Sequence, residues 1–132
     1  MSKTYTCNIE IRFSDIDAYG HVNNAVYFTY LETARTKAFS SNFIDFMNKG
    51  LFFVVAQAEC EFKKPIKLED DQVTVEFTIE GLGRSSFAVI YRLLGNQGQH
   101  FANAKTVMVA LDAKRGTPTG IPDDIRARLM DG

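Results

Sequence analysis

Between Thr4 and Phe13 the chain alternates. Tyr5, Cys7, Ile9, Ile11 and Phe13 fall on one side, and Thr4, Thr6, Asn8, Glu10 and Arg12 on the other. That period of two predicts a strand with one wet face. Residues 14–24, SDIDAYGHVNN, break the rhythm and predict a loop. From Asn24 the spacing turns helical, with Tyr27, Leu31, Ala34 and Ala38 on one face. Asn23 or Asn24 suits the N-cap, because an Asn side chain accepts from the free N–H groups of a first turn. The helix is expected to end near Ser40. A short second helix is expected over 42–48, with Gly50 as its terminator.

After Gly50 the pattern is that of strands. Leu51–Lys64 is a long candidate, stopped by Pro65. Gln72–Glu80 alternates most regularly, with Val73, Val75, Phe77 and Ile79 on one side. A turn over 81–84 leads to a strand over 85–94. Gly95-Asn96-Gln97-Gly98 predicts a hairpin turn, since Gly and Asn tolerate positive φ. His100–Asp112 returns as a strand, and Pro122–Met130 suits a closing helix. One strand, one long helix and four consecutive strands predict an α+β domain, in which a largely antiparallel, curved five-stranded sheet wraps the helix. A single helix cannot cover a whole sheet of this size. Exposed aromatic surface is therefore expected to be hidden in a homodimer or homotetramer.

The chain has 132 residues and no repeat, low-complexity tract or linker, so residues 1–132 are expected to form one domain. A net charge of −1 lacks the basic excess of a nucleic-acid footprint. The longest apolar run, Leu51–Ala56, is far short of the roughly 20 residues of a membrane span. No membrane or nucleic-acid partner is expected. With no signal-like start and two lone cysteines, Cys7 and Cys60, the expected location is cytoplasmic. No metal-ligand spacing or phosphate-binding glycine loop occurs, so no metal or cofactor is expected.

Chemistry concentrates in residues 14–24. Asp15, Asp17, Gly20, His21, Asn23 and Asn24 lie between a strand and a helix start. A helix start offers unpaired N–H groups and a partial positive charge, which suit a developing oxyanion and an ionised carboxylate. Gly20 permits a close backbone approach to a ligand. These residue types allow acyl transfer by a carboxylate and an oxyanion hole, without a Ser or Cys nucleophile. They equally allow a capped loop with no chemistry. Asp15 is expected to be structural, bonded to loop N–H groups, and Gln57, Glu59 and Glu61 to form a solvated strand face. Glu32 and Arg35, three apart on the helix, are expected to pair with each other.

The stretch Ile11–Arg35 resembles the 4-hydroxybenzoyl-CoA thioesterase-like family of hotdog-fold acyl-CoA thioesterases. The resemblance rests on Asp15-Ile16-Asp17-Ala18-Tyr19-Gly20 followed by Asn24, Tyr27 and Glu32-Thr33-Ala34-Arg35. Lys63-Lys64-Pro65 and the Gly83-Arg84-Ser85-Ser86 turn also fit. The resemblance implies a hotdog fold, an acyl-CoA substrate, sites between the subunits of a dimer, and Asp17 as the catalytic carboxylate. It also implies that Arg84, Ser85 and Ser86 contact the carrier's pantetheine and phosphates. The run Gly20-His21-Val22-Asn23-Asn24 is similar to acyl-acyl-carrier-protein thioesterases, with Tyr19 where their pattern has Asn. Acyl carrier protein is therefore an alternative carrier, and a non-catalytic acyl-CoA-binding protein an alternative role. Asn24, His21 and Gly20 would form the oxyanion loop. Tyr27, Phe28, Leu31, Phe52 and Phe53 would border an acyl pocket without a cation, which favours neutral fatty or aromatic acyl groups.

Overall fold

The computed structural model describes residues 3–131. Its elements are β1 (Tyr5–Glu10), α1 (Asn24–Phe39), α2 (Phe43–Asn48), β2 (Leu51–Phe62), β3 (Gln72–Glu80), β4 (Ser86–Leu94), β5 (His100–Asp112) and α3 (Asp123–Asp131). The five strands form one antiparallel sheet in the order β1-β3-β4-β5-β2. Alternation along β3 and β4 buries Val73, Val75, Phe77, Ile79, Phe87, Val89, Tyr91 and Leu93 on one face. Helix α1 presses Tyr27, Tyr30, Leu31 and Ala34 onto that face. Tyr5 and Phe77 stack beneath it with ring centroids 4.8 Å apart. This is the hotdog fold.

Two details differ from the pattern reading. Strand β2 does not pair with β3, its successor in sequence. It crosses to the far edge and pairs with β5, from Leu51 opposite Asp112 to Phe62 opposite Ala102. The long β2–β3 connection permits this crossing, and hairpin adjacency holds only for β3, β4 and β5. Strand β2 also stops at Phe62, because the N–H groups of Lys63 and Lys64 both turn to the Phe101 carbonyl at 2.9 and 3.1 Å.

A bulge in β2 resolves a conflict of period. Leu51, Phe53 and Val55 share their parity with Gln57, Glu59 and Glu61, yet the first set is apolar and the second polar. Val55 lies opposite Met108 and Gln57 opposite Val107, leaving Ala56 as the extra residue. Met108 is buried, while Val107 is on the opposite face of β5. The bulge therefore rotates Gln57, Glu59 and Glu61 outward and turns Cys60 and Phe62 inward.

The loop between β1 and α1 is held by one buried carboxylate. Asp15 is 1% exposed. Its Oδ2 accepts from the Arg12 N–H at 2.9 Å and from the Tyr30 hydroxyl at 2.8 Å. Its Oδ1 accepts from Arg12 Nε at 3.1 Å and Nη2 at 2.9 Å. Its backbone carbonyl takes the Asn23 N–H at 2.9 Å. Asn23 is the N-cap of α1, its side chain accepting from the Ala25 N–H at 2.9 Å. Burial raises the Asp15 carboxyl, but the bonds from Arg12 and Tyr30 outweigh it and hold the group below the usual carboxylate range.

Asp15→Asn is expected to lower stability by on the order of 3 kcal/mol, because an amide leaves buried donors facing each other. Urea unfolding measures the difference. The folded carboxyl titrates below its unfolded value of about 3.9, so its contribution is complete above that pH and fades as pH falls through the lower folded value. The gap between wild type and Asp15→Asn should therefore narrow only in strongly acid solution.

Candidate active site

Asp17 lies two residues beyond the anchored Asp15 and is placed by a small hairpin. Ile16 and Val22 form an isolated antiparallel bridge. The Asp17 N–H donates to the His21 carbonyl at 2.9 Å, and the Gly20 N–H to the Asp17 carbonyl at 3.0 Å. Gly20 has φ +83° and completes the turn. A side chain there would meet nothing within 4 Å. The glycine is needed for this backbone conformation, which a side chain would strain. Asp17 Oδ1 accepts from the Tyr19 N–H at 2.9 Å, and no other described group bonds this carboxylate. Its second oxygen is thus available.

The hairpin is docked to the other wall of a cavity by one bond, from the Val22 N–H to the Ile66 carbonyl at 2.8 Å. The cavity has a volume of about 530 Å³. Asp17, His21, Asn24 and Tyr27 line one wall, and Phe62, Lys63, Lys64 and Pro65 the other. Tyr27 meets Phe62 edge to face at 4.8 Å. Burial raises the Tyr27 hydroxyl above its ordinary pKa. Asn24 is the first helical residue, so its N–H has no acceptor within the helix and adds to the positive end of the α1 dipole. The His21 ring makes no hydrogen bond with a described residue; it is the His21 carbonyl that holds the loop. Lys63 Nζ pairs with Glu61 at 2.9 Å, whereas Lys64 has no ion pair with a described residue.

Not every expected site residue gathers here. The cavity brings together Asp17, His21, Asn24 and Tyr27; Gly20 is not among its lining residues, though its neighbours Tyr19 and His21 are. Arg84, Ser85 and Ser86 sit at the start of β4, where the Ser85 carbonyl accepts from Ala110 and Ser86 lies opposite Val109. That end of β5 is about 30 Å from its Phe101 end, so within one chain these residues are remote from Asp17.

The residues expected to border one acyl pocket are divided as well. Tyr27 lines the cavity just described. Phe52 and Phe53 line a second, mainly apolar groove of about 460 Å³, between the last turns of α1, α2 and the start of β2. Contrary to expectation, that groove contains a cation. Arg35 lines it and does not pair with Glu32; its Nη1 donates to the Tyr91 hydroxyl at 2.9 Å, and Tyr91 lies 2.7 Å from the Thr106 hydroxyl. A buried sheet hydroxyl under the helix outcompetes the neighbouring carboxylate on its surface.

Pattern reading overlooked Tyr30 and Phe62. Tyr30 carried a signal: it follows Tyr27 by three on the buried face, and a hydroxyl there needs a partner. Phe62 had none, because its inward direction depends on the bulge.

The chain and its fold have counterparts among known proteins. A thioesterase from Thermus thermophilus, solved in complex with coenzyme A and Zn, is 38% identical, with a TM-score of 0.82 over 95% of this chain and 90% of that one. The long-chain acyl-CoA thioesterase FadM of Escherichia coli is 29% identical over 124 residues, 92% of this chain and 93% of its own length. A 1,4-dihydroxy-2-naphthoyl-CoA hydrolase of Thermosynechococcus vestitus is 28% identical over 123 residues, 90% and 84% of the two chains. Residues 11–129 match the thioesterase-like superfamily. With its hotdog sheet, its long helix and this match across nearly the whole chain, the protein belongs to the thioesterase-like superfamily and is a thioester hydrolase.

Proposed function

We propose that the protein hydrolyses acyl-CoA thioesters, fatty or aromatic, to the free acid and coenzyme A, with Asp17 as the catalytic carboxylate. The observation that carries this reading is the shared cavity: Asp17, with one oxygen uncommitted, and Asn24, the first residue of α1, line the same space. The thioester carbonyl oxygen takes the Asn24 N–H, where the helix end stabilises the charge that develops on it. Asp17 then attacks the carbonyl carbon or takes a proton from the water that does. The tetrahedral intermediate collapses with loss of the coenzyme A thiolate, whose low basicity spares the site a strong general acid. Attack by Asp17 itself gives a mixed anhydride that water cleaves, restoring the carboxylate. His21 on the same wall orients the carbonyl.

The same reading includes a homodimer built on β2, with a homotetramer as its extension. This strand is a twelve-residue sheet edge with unpaired backbone groups, and Phe52, Val55 and Phe62 along it are 38–44% exposed. Pairing two copies antiparallel satisfies the edge and buries the aromatics. It also sets the Leu51 end of one strand beside the Phe62 end of its copy. Arg84–Ser86 lie at the Leu51 end of the sheet, so a second copy carries them toward the Asp17 cavity. There they and Lys64 meet the phosphates of coenzyme A.

Asp17→Asn is expected to lower kcat by about a hundredfold or more while leaving the fold intact, since the amide neither attacks nor takes a proton. Thiol release over a panel of acyl-CoA chain lengths measures this. Activity within about threefold of wild type would reject Asp17 as the catalytic carboxylate. Absence of hydrolysis with every thioester, binding retained, would make the protein a sensor. Equilibrium sedimentation at micromolar concentration is expected to give a multiple of the 14.8 kDa chain mass; a dominant monomer would reject the β2 assembly.

A further inference from the structure

The two cavities share one stripe of α1. Asn24 lines the first, and Glu32 and Arg35 line the second. Phe28, 36% exposed, falls between them at the four-residue spacing of a single helix face. On the sheet side, the inward residues of β2 continue the same route: Phe62 in the first cavity, Val55 midway, Phe53 in the second. Phe53 is held there by edge-to-face contacts with Phe46 at 5.6 Å and Phe87 at 5.3 Å. An apolar track thus leads from the Asp17 cavity to the groove.

Two charges stand at the far end of that track, and neither is neutralised. Arg35 is half-buried, and its only hydrogen bond to a described residue is the one to Tyr91. No ion pair joins Arg35 or Glu32 to any described residue. A plain hydrocarbon laid over them would strip water from both charges and give nothing back. A carboxylate would gain Arg35 but face Glu32. A hydroxyl satisfies both, accepting from the guanidinium and donating to the carboxylate. The eleven steps from Asn24 to Arg35 rise about 16 Å along the helix, the reach of about a dozen carbons of extended chain.

We propose that the groove is a specificity subsite for the distal part of a long acyl chain, and that Arg35 with Glu32 selects a hydroxyl about a dozen carbons from the thioester carbon. The proposal rests on the thioesterase reading above, and its test separates the two. Specificity constants are measured for stearoyl-, 12-hydroxystearoyl- and octadecanedioyl-CoA. Wild type is expected to prefer the hydroxylated chain roughly tenfold over each of the others, the scale of hydrogen bonds to charged groups. Arg35→Met and Glu32→Gln should each bring the preference over stearoyl-CoA close to one. Thermal unfolding establishes that each variant is folded; Glu32 is exposed, so its variant serves even if Arg35→Met does not fold. Equal specificity constants in wild type, or a preference that survives the folded variants, would overturn the subsite. If no thioester is hydrolysed, the enzymatic reading falls alone. Calorimetric titration of the intact thioesters then decides the subsite: tighter binding of the hydroxylated chain, lost in Glu32→Gln, supports it, and equal binding overturns it.

Discussion

A carboxylate removed from water must be compensated in full, and Asp15 is the place where this molecule meets that requirement. Four donor contacts converge on its two oxygens, from Arg12 in the approach to the loop and from Tyr30 in the second turn of α1. The strand end and the helix are thereby tied across fifteen residues of sequence. Every position that follows inherits its place from this tie: the N-cap through the Asp15 carbonyl, the first helical N–H through the cap, and Asp17 through the hairpin that begins beside it. Charge burial is poor support for stability in general, but it fixes geometry, because only one arrangement satisfies all the donors.

The helix is placed asymmetrically over the sheet. It packs chiefly on the side of β1 and β3, and β2 at the opposite edge keeps much of its inner face open. Both cavities follow from that offset. A helix centred over the sheet would bury Val55 and Phe62 in an ordinary core. The displaced helix leaves a valley whose floor is β2 and whose wall is one stripe of α1. The Asp17 end of that valley coincides with the positive end of the helix dipole.

Much of this was legible in the chain. Alternation gave the bounds of β3 to the residue, and the helical spacing placed α1 from Asn24. The candidates Asp17, His21, Asn24 and Tyr27 line one cavity. What stayed hidden is non-local. Nothing in the spacing of Asp15 and Asp17 says which is buried; that depends on Tyr30 reaching one of them from the helix. The pairing of β2 with β5 depends on a crossing that period alone does not encode. Glu32 and Arg35 have ideal spacing for an ion pair, yet Arg35 turns to a hydroxyl supplied by β4, a strand more than fifty residues away. Short-range rules describe the helix surface correctly only where nothing is packed against it.

The extra residue at Ala56 has a consequence for how β2 can change through descent. Its loss would leave every other side chain of the strand on its present face. With Ala56 gone, Val55 and Gln57 become neighbours that point to opposite sides by simple alternation, and Cys60 and Phe62 stay inward. What the deletion removes is the local bend and added twist that a bulge imposes on its strand. The pattern of oily and acidic residues and the curvature of the strand are therefore inherited separately. Two descendants could carry the same wall, residue for residue, and still differ in the shape of the valley by one letter of length.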